Sequence, residues 1–153
     1  MASVGLISDT HGLLRKAALD ALAGVEHIIH AGDVGKPEIL DRLEAVAPIV
    51  AVRGNVDKGA WANALPETAT ATVGATTFYV LHDVKQIDLD PAAAGFSVVV
   101  SGHSHKAETR ERSGVLYVNP GSAGPKRFSL PVTIARIDLA IIPWRVEFID
   151  LAI

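Results

Sequence analysis

Five short apolar runs in this chain stop at the same kind of place, and that repetition limits the folds open to it. Val4 to Ser8, His27 to His30, Pro48 to Val52, Thr76 to Leu81 and Ser97 to Val100 are strand-length, and each runs into a polar loop. Four of those loops carry a glycine: Gly12, Gly32, Gly54 and Gly102. Between the first three runs lie helix patterns. Leu14, Ala18 and Leu22 form one stripe of a segment from Leu13 to Leu22 that Gly24 stops, and Pro37 suits the first turn of a helix reaching about Val46. Short strands alternating with helices predict a parallel α/β start.

The texture changes from Thr68. Thr68 to Val73, a Gly74-Ala75 turn and Thr76 to Leu81 read as a β-hairpin. Val115 to Val118, Pro131 to Leu139 and Trp144 to Leu151 alternate like half-buried antiparallel strands. Asp90 to Gly95 predicts a short capped helix, with Pro91 at its first position, and Lys58 to Pro66 a surface loop. Trp144 and Phe148 share a strand face and are expected in the core.

The chain has 153 residues, the size of one domain of about 100 to 200 residues, so a single domain over 1–153 is expected. With 14 Lys and Arg against 17 Asp and Glu the net charge is −3, and no basic run marks a duplex nucleic-acid footprint. No stretch approaches the roughly 18 apolar residues of a membrane helix, and the first residues lack a basic leader, so a cytoplasmic protein that does not engage membranes is predicted. There is no cysteine, which removes disulfides, thiol nucleophiles and thiolate metal sites; any metal must be held by nitrogen or oxygen.

Those ligands stand at the ends of the five apolar runs: Asp9 with His11, Asp33, Asn55, His82, and His103 with His105. Strand ends are where α/β sheets place ligands, so the five loops are expected to converge. Asp9-Thr10-His11 and His103-Ser104-His105 have i, i+2 spacing, which in extended chain puts both side chains on one side. Two carboxylates, four imidazoles and an amide exceed what one ion needs. They suit a two-metal hydrolytic site with ions about 3.5–4 Å apart, and Mn, Fe, Zn, Ni or Co all accept such a set.

The pieces Asp9-Thr10-His11, Gly32-Asp33, Gly54-Asn55, His82, Gly102-His103-Ser104-His105 and Asn119-Pro120-Gly121-Ser122, in this order over Val4 to Arg127, resemble the calcineurin-like metallophosphoesterase superfamily, in particular its small bacterial and archaeal phosphodiesterases related to Vps29. The resemblance implies a four-layer α/β/β/α sandwich. It implies that Asp9, His11 and His105 hold one divalent ion, that Asp33 bridges, and that Asn55, His82 and His103 hold a second, manganese being the favoured metal. Asp33, Asn55, His82 and His103 then serve catalysis of in-line attack on phosphorus by a metal-bridging hydroxide, with a small phosphoester, more a diester than a monoester, as substrate. Asn55, Ser122 and Arg127 are the expected substrate contacts.

Two positions depart from the superfamily pattern. Val56 stands where many members have a histidine that orients substrate or protonates the leaving group, which leaves Asp57 as a candidate acid. His82-Asp83-Val84 replaces the common H-G-H, losing the second histidine and adding a carboxylate that repels phosphate. Two other functions share the same residues: a phosphomonoesterase or nucleotidase on the same metals, and a non-catalytic, partner-binding scaffold like Vps29. His27 and His30 flank a buried strand and are assigned to structure. The apolar Gly74 to Leu81 hairpin is a candidate homodimer contact.

Overall fold

A computed structural model describes residues 3–127 and 129–153. Two five-stranded mixed sheets pack face to face. The first has the order β10-β9-β1-β2-β3, built from β1 (Ser3–Ile7), β2 (His27–His30), β3 (Ile49–Ala51), β9 (Thr133–Asp138) and β10 (Val146–Asp150). In it β1, β2 and β3 are parallel, and β9 and β10 are added antiparallel on the other side of β1. The second has the order β4-β5-β6-β8-β7, built from β4 (Thr68–Val73), β5 (Thr76–Leu81), β6 (Val98–Val100), β7 (Ala107–Arg112) and β8 (Val115–Pro120). Its centre, β5, β6 and β8, is again parallel, and β4 and β7 close it antiparallel.

Alternation along the strands sets the layers. Val4, Leu6 and Ile29 meet Phe78, Val80, Val98, Val100 and Val118 in the core between the sheets. Ile7, Ile28 and Ile134 point the other way, against helices α1 (Lys16–Ala21) and α2 (Pro37–Glu44). On the outer face of the second sheet, Tyr79, Leu81 and Val99 are covered by Val84, Ile87, Leu89 and Phe96. That fourth layer is thin: a 3₁₀ turn at Val84–Gln86 and the loop after it. The mixed α/β two-sheet fold matches the sequence reading. Among the described residues no helix is long and apolar enough to cross a membrane.

Four local expectations are corrected. α1 starts at Lys16 rather than Leu13, because the preceding backbone is committed elsewhere: the His11 and Gly12 N–H groups donate to Asp33 and Val34 carbonyls at 2.9 Å. Asp90 to Gly95 is a run of hydrogen-bonded turns rather than a helix, although Asp90 Oδ1 does accept from Ala92 and Ala93 N–H at 3.1 and 3.3 Å like an N-cap. Lys58 to Pro66 contains a helix, α3 (Ala60–Asn63), with Ala62 buried and Trp61 packed on the helix-side core. Trp144 packs against the central core, but Phe148, on the edge strand β10, is 36% exposed.

Candidate metal centre

The C-terminal ends of β1, β2, β5 and β6 carry their loops to one edge of the sandwich. Asp9 N donates to Gly32 O at 3.0 Å and Gly102 N to His82 O at 2.9 Å, which fixes loops within each sheet. His103 N donates to Asp9 Oδ2 at 3.1 Å and so crosses between the sheets. The loops are tight enough to be strained. Seven described non-glycine residues have positive φ, and five of them are Asp9, His11, Asp33, His103 and His105. Left-handed backbone at non-glycine residues costs energy and persists where the surroundings enforce it, typically at functional sites. Two glycines are needed for close approach: a Cβ on Gly54 would meet the Asp33 carboxylate, and one on Gly102 would meet Ser8 Oγ and Asp9 Oδ2.

Each carboxylate has one oxygen tied back and one aimed inward. Asp9 Oδ2 accepts from Ser8 Oγ at 2.7 Å and from His103 N, and Asp33 Oδ1 accepts from Val56 N at 3.0 Å. The free oxygens face imidazoles. His11 Nε2 lies 3.6 Å from Asp9 Oδ1 and 3.4 Å from Asp33 Oδ2. His82 Nε2 lies 3.8 and 3.1 Å from the same two atoms, and His105 Nε2 is 3.4 Å from Asp9 Oδ1. Asp33 Oδ2 thus stands between His11 and His82. Two groups result, Asp9 with His11 and His105, and Asp9 with Asp33 and His82.

Charge is concentrated in that small volume. Burial opposes ionisation of Asp9, but His105, His11, Ser8 and His82 outweigh it and hold the carboxyl well below the usual range. Burial likewise opposes ionisation of Asp33, and His82 with the Val56 N–H outweighs it. For His82 burial favours the neutral ring, yet Asp33, the Ala31 carbonyl and Asp9 raise its pKa. His82 Nδ1 bonds Ala31 O at 2.8 Å; as a carbonyl only accepts, that nitrogen carries the proton, and in the neutral ring Nε2 is a lone pair.

A divalent ion fits this arrangement. Asp9 Oδ1, His11 Nε2, His82 Nε2 and His105 Nδ1 are buried without a hydrogen-bond partner, a costly condition for a protein to maintain with nothing to bind. Ligand atoms about 2.1 Å from one ion lie about 3.0–3.5 Å from each other, close to the N···O separations here. The donors are nitrogen and oxygen only, the set that manganese, iron and zinc accept.

Asn55 and His103 sit at the rim instead. Asn55 is exposed beside the cleft next to His82, and the His103 ring packs edge-on at 5.2 Å from His82, with its Nε2 3.9 Å from Asp83 Oδ2. Ser122 is buried and its hydroxyl donates to Asp9 O at 3.1 Å, while Arg127 is exposed. Asp57 is no free acid: its oxygens accept from Val34, Gly35 and Gly54 N–H at 3.1, 2.8 and 2.9 Å, clamping the second loop to the third.

His30 has a larger part than sequence reading gave it. It is fully buried, and burial pushes its pKa down to about 4. Thr10 Oγ1 has one proton and donates it to Val34 O at 2.8 Å, so His30 Nε2 must donate to Thr10 Oγ1 at 3.1 Å. Its Nδ1 then accepts from Gly32 N at 3.1 Å. A neutral ring of fixed tautomer therefore joins the residue between Asp9 and His11 to the residue before Asp33. A polar residue at a buried strand end, facing a threonine between two ligands, was the available signal.

A family model described as the calcineurin-like phosphoesterase superfamily domain matches residues 2–140. A probable metallophosphoesterase of Methanothermobacter thermautotrophicus is 33% identical over 148 residues, covering 88% of this chain and 86% of that one. A solved structure described as a novel archaeal phosphodiesterase aligns with a TM-score of 0.79 at 25% identity, over 96% of this chain and 99% of that one. Vps29 of Chaetomium thermophilum has the same fold, with a TM-score of 0.79 at 18% identity over 97% of each chain.

Proposed function

Because the chain belongs to the calcineurin-like phosphoesterase superfamily, we propose that it is a phosphodiesterase dependent on two divalent metal ions, with manganese the favoured metal. The supporting observation is that Asp9 Oδ1, His11 Nε2 and His82 Nε2 are buried without a hydrogen-bond partner and converge with Asp33 Oδ2 and His105 Nε2. Asp9, His11 and His105 would hold one ion and Asn55, His82 and His103 the other, with Asp33 shared. Such ions, when bound, supply Lewis acidity at phosphoryl oxygens and acidify a water molecule.

The chain's own contribution is preorganisation. Ser8, the His103 N–H and the Val56 N–H hold the two carboxylates so that Asp9 Oδ1 and Asp33 Oδ2 stay aimed inward and ionised. The Ala31 carbonyl fixes the His82 tautomer, and Ser122 pins the Asp9 backbone. Val56 offers no proton to a departing alkoxide and both Asp57 oxygens are engaged, so substrates with good leaving groups are favoured. Asp83, at the rim beside His103, repels the dianion of a monoester more than the monoanion of a diester.

Stripping with chelator and adding back Mn²⁺ tests this. Restored cleavage of bis(p-nitrophenyl) phosphate, faster than of p-nitrophenyl phosphate, is the expected result. Faster monoester cleavage would overturn the diester assignment. Absence of cleavage with any of Mn²⁺, Fe²⁺, Zn²⁺, Ni²⁺ or Co²⁺ would overturn the enzymatic one.

A further inference from the structure

The motif Asn119-Pro120-Gly121-Ser122 touches both halves of the ligand set without supplying a ligand. It leaves the second sheet at the end of β8, where Asn119 is buried. The partners of the Asn119 carboxamide fix its orientation. Gly121 N can only donate and meets Oδ1 at 2.9 Å, and Gly102 O can only accept and meets Nδ2 at 2.9 Å. Nδ2 also donates to Ser104 Oγ at 3.0 Å. Gly102 and Ser104 flank His103, and His105 follows; both histidines hold left-handed backbone, with φ of 72° and 64°. Farther along, the same segment grips the first sheet: Ser122 Oγ donates to Asp9 O at 3.1 Å and Ala123 N to Ser8 O at 3.0 Å. Thr133 anchors the segment, its hydroxyl donating to Pro120 O at 2.6 Å and its N–H to Ser122 O at 3.0 Å.

We propose that segment 119–123 sets the spacing between the two sheets at the ligand edge, and that Asn119 is its positioning residue: the amide group seats the strained loop of His103 and His105 against Asp9. This rests on the metal reading and extends it to a residue that binds no ion. The bond from His103 N to Asp9 Oδ2 at 3.1 Å is the one that the seat protects. A purely structural Asn119 would close the turn at Gly121 and do no more.

Asn119→Asp separates the two roles. It keeps the side-chain shape and the acceptor for Gly121 N, but sets an oxygen against Gly102 O, which also only accepts. Its added negative charge alone would draw a cation closer, so weaker binding reports position. Calorimetric titration with Mn²⁺ should show affinity about 10–100-fold lower in Asn119→Asp and in Asn119→Ala. Ser104→Ala, at an exposed residue, should lose part of that, and should lose less when added to Asn119→Ala than alone, because both act on one contact. Val115→Ala, buried at the other end of β8, weakens the fold away from the loop and should bind Mn²⁺ like wild type. Hydrogen exchange of the metal-free protein gives a second readout: in Asn119→Asp the His103 N–H should speed up by on the order of tenfold more than the amides of β6. Mn²⁺ affinity in Asn119→Asp equal to that of Val115→Ala, or exchange that rises equally in β6, overturns the positioning role; with wild type binding Mn²⁺, the metal reading then stands. If wild type takes up no ion, faster local exchange in Asn119→Asp upholds the seating of the loop and overturns the metal reading.

Discussion

Replacing His30 with Leu removes a group that touches no candidate ligand yet joins two of the loops that carry them. The leucine side chain fills a similar volume, so the cost at neutral pH comes from polar groups. The Gly32 N–H loses its acceptor in a buried site, at about 1–3 kcal/mol, whereas the Thr10 hydroxyl keeps Val34 O. Acid reverses the comparison. The folded-state pKa of His30 lies near 4, against 6.5 for an ordinary histidine, so between those values the unfolded chain binds more protons and wild-type stability falls as pH falls. At pH 4 protonation stabilises the unfolded imidazole about 300-fold and the buried one about twofold, a loss of about 3 kcal/mol relative to neutral pH. The leucine variant has no such loss. Urea unfolding of both metal-free proteins, followed by circular dichroism from pH 7.5 to 4, should show wild type ahead at neutral pH and the gap shrinking by about 3 kcal/mol, to zero or reversal. Asp9, Asp33 and His82 titrate in both proteins, so the difference between the curves reports His30 together with its coupling to them. Parallel curves would refute the assignment of His30 as a buried neutral bridge.

Ser8→Ala removes one of two bonds to Asp9 Oδ2, and calorimetric Mn²⁺ titration should show metal affinity about 10–100-fold weaker with the fold intact. Gly102→Ala pushes a methyl group against Ser8 and Asp9, so it should weaken metal binding more than Ser8→Ala does while near-ultraviolet circular dichroism stays close to wild type. Asp57→Ala strands three loop N–H groups, two of them donating to one oxygen. It should cost about 2–4 kcal/mol in urea unfolding, well above the effect of an exposed carboxylate such as Glu67→Ala.

Local pattern showed where strands would form but not how distant strands would pair. Val4 to Ser8 is legible as a buried strand from its apolar run, whereas its antiparallel partner β9 lies about 130 residues along the chain and nothing local announces the pairing. The convergence of Asp9, His11, Asp33, His82 and His105 was legible because ionisable residues straight after apolar runs have few structural uses, whereas Asn55 and His103 lie at the rim. The supporting shell was not legible. Asp57 reads as a turn residue beside glycine, and only the folded arrangement shows three N–H groups converging on it. Ser122 reads as part of a loop open to substrate, but β9 packs beside it and its hydroxyl turns inward to Asp9. Leu13 to Arg15 have a helical pattern, and loop-to-loop hydrogen bonds just ahead of them delay the helix.

The most direct test of the two-metal reading is an anomalous-difference map from crystals soaked in Mn²⁺. Two peaks are expected about 3.5–4 Å apart, one against Asp9, His11 and His105 and the other against His82, with Asp33 between them. A single peak, or manganese found only away from these residues, would contradict it.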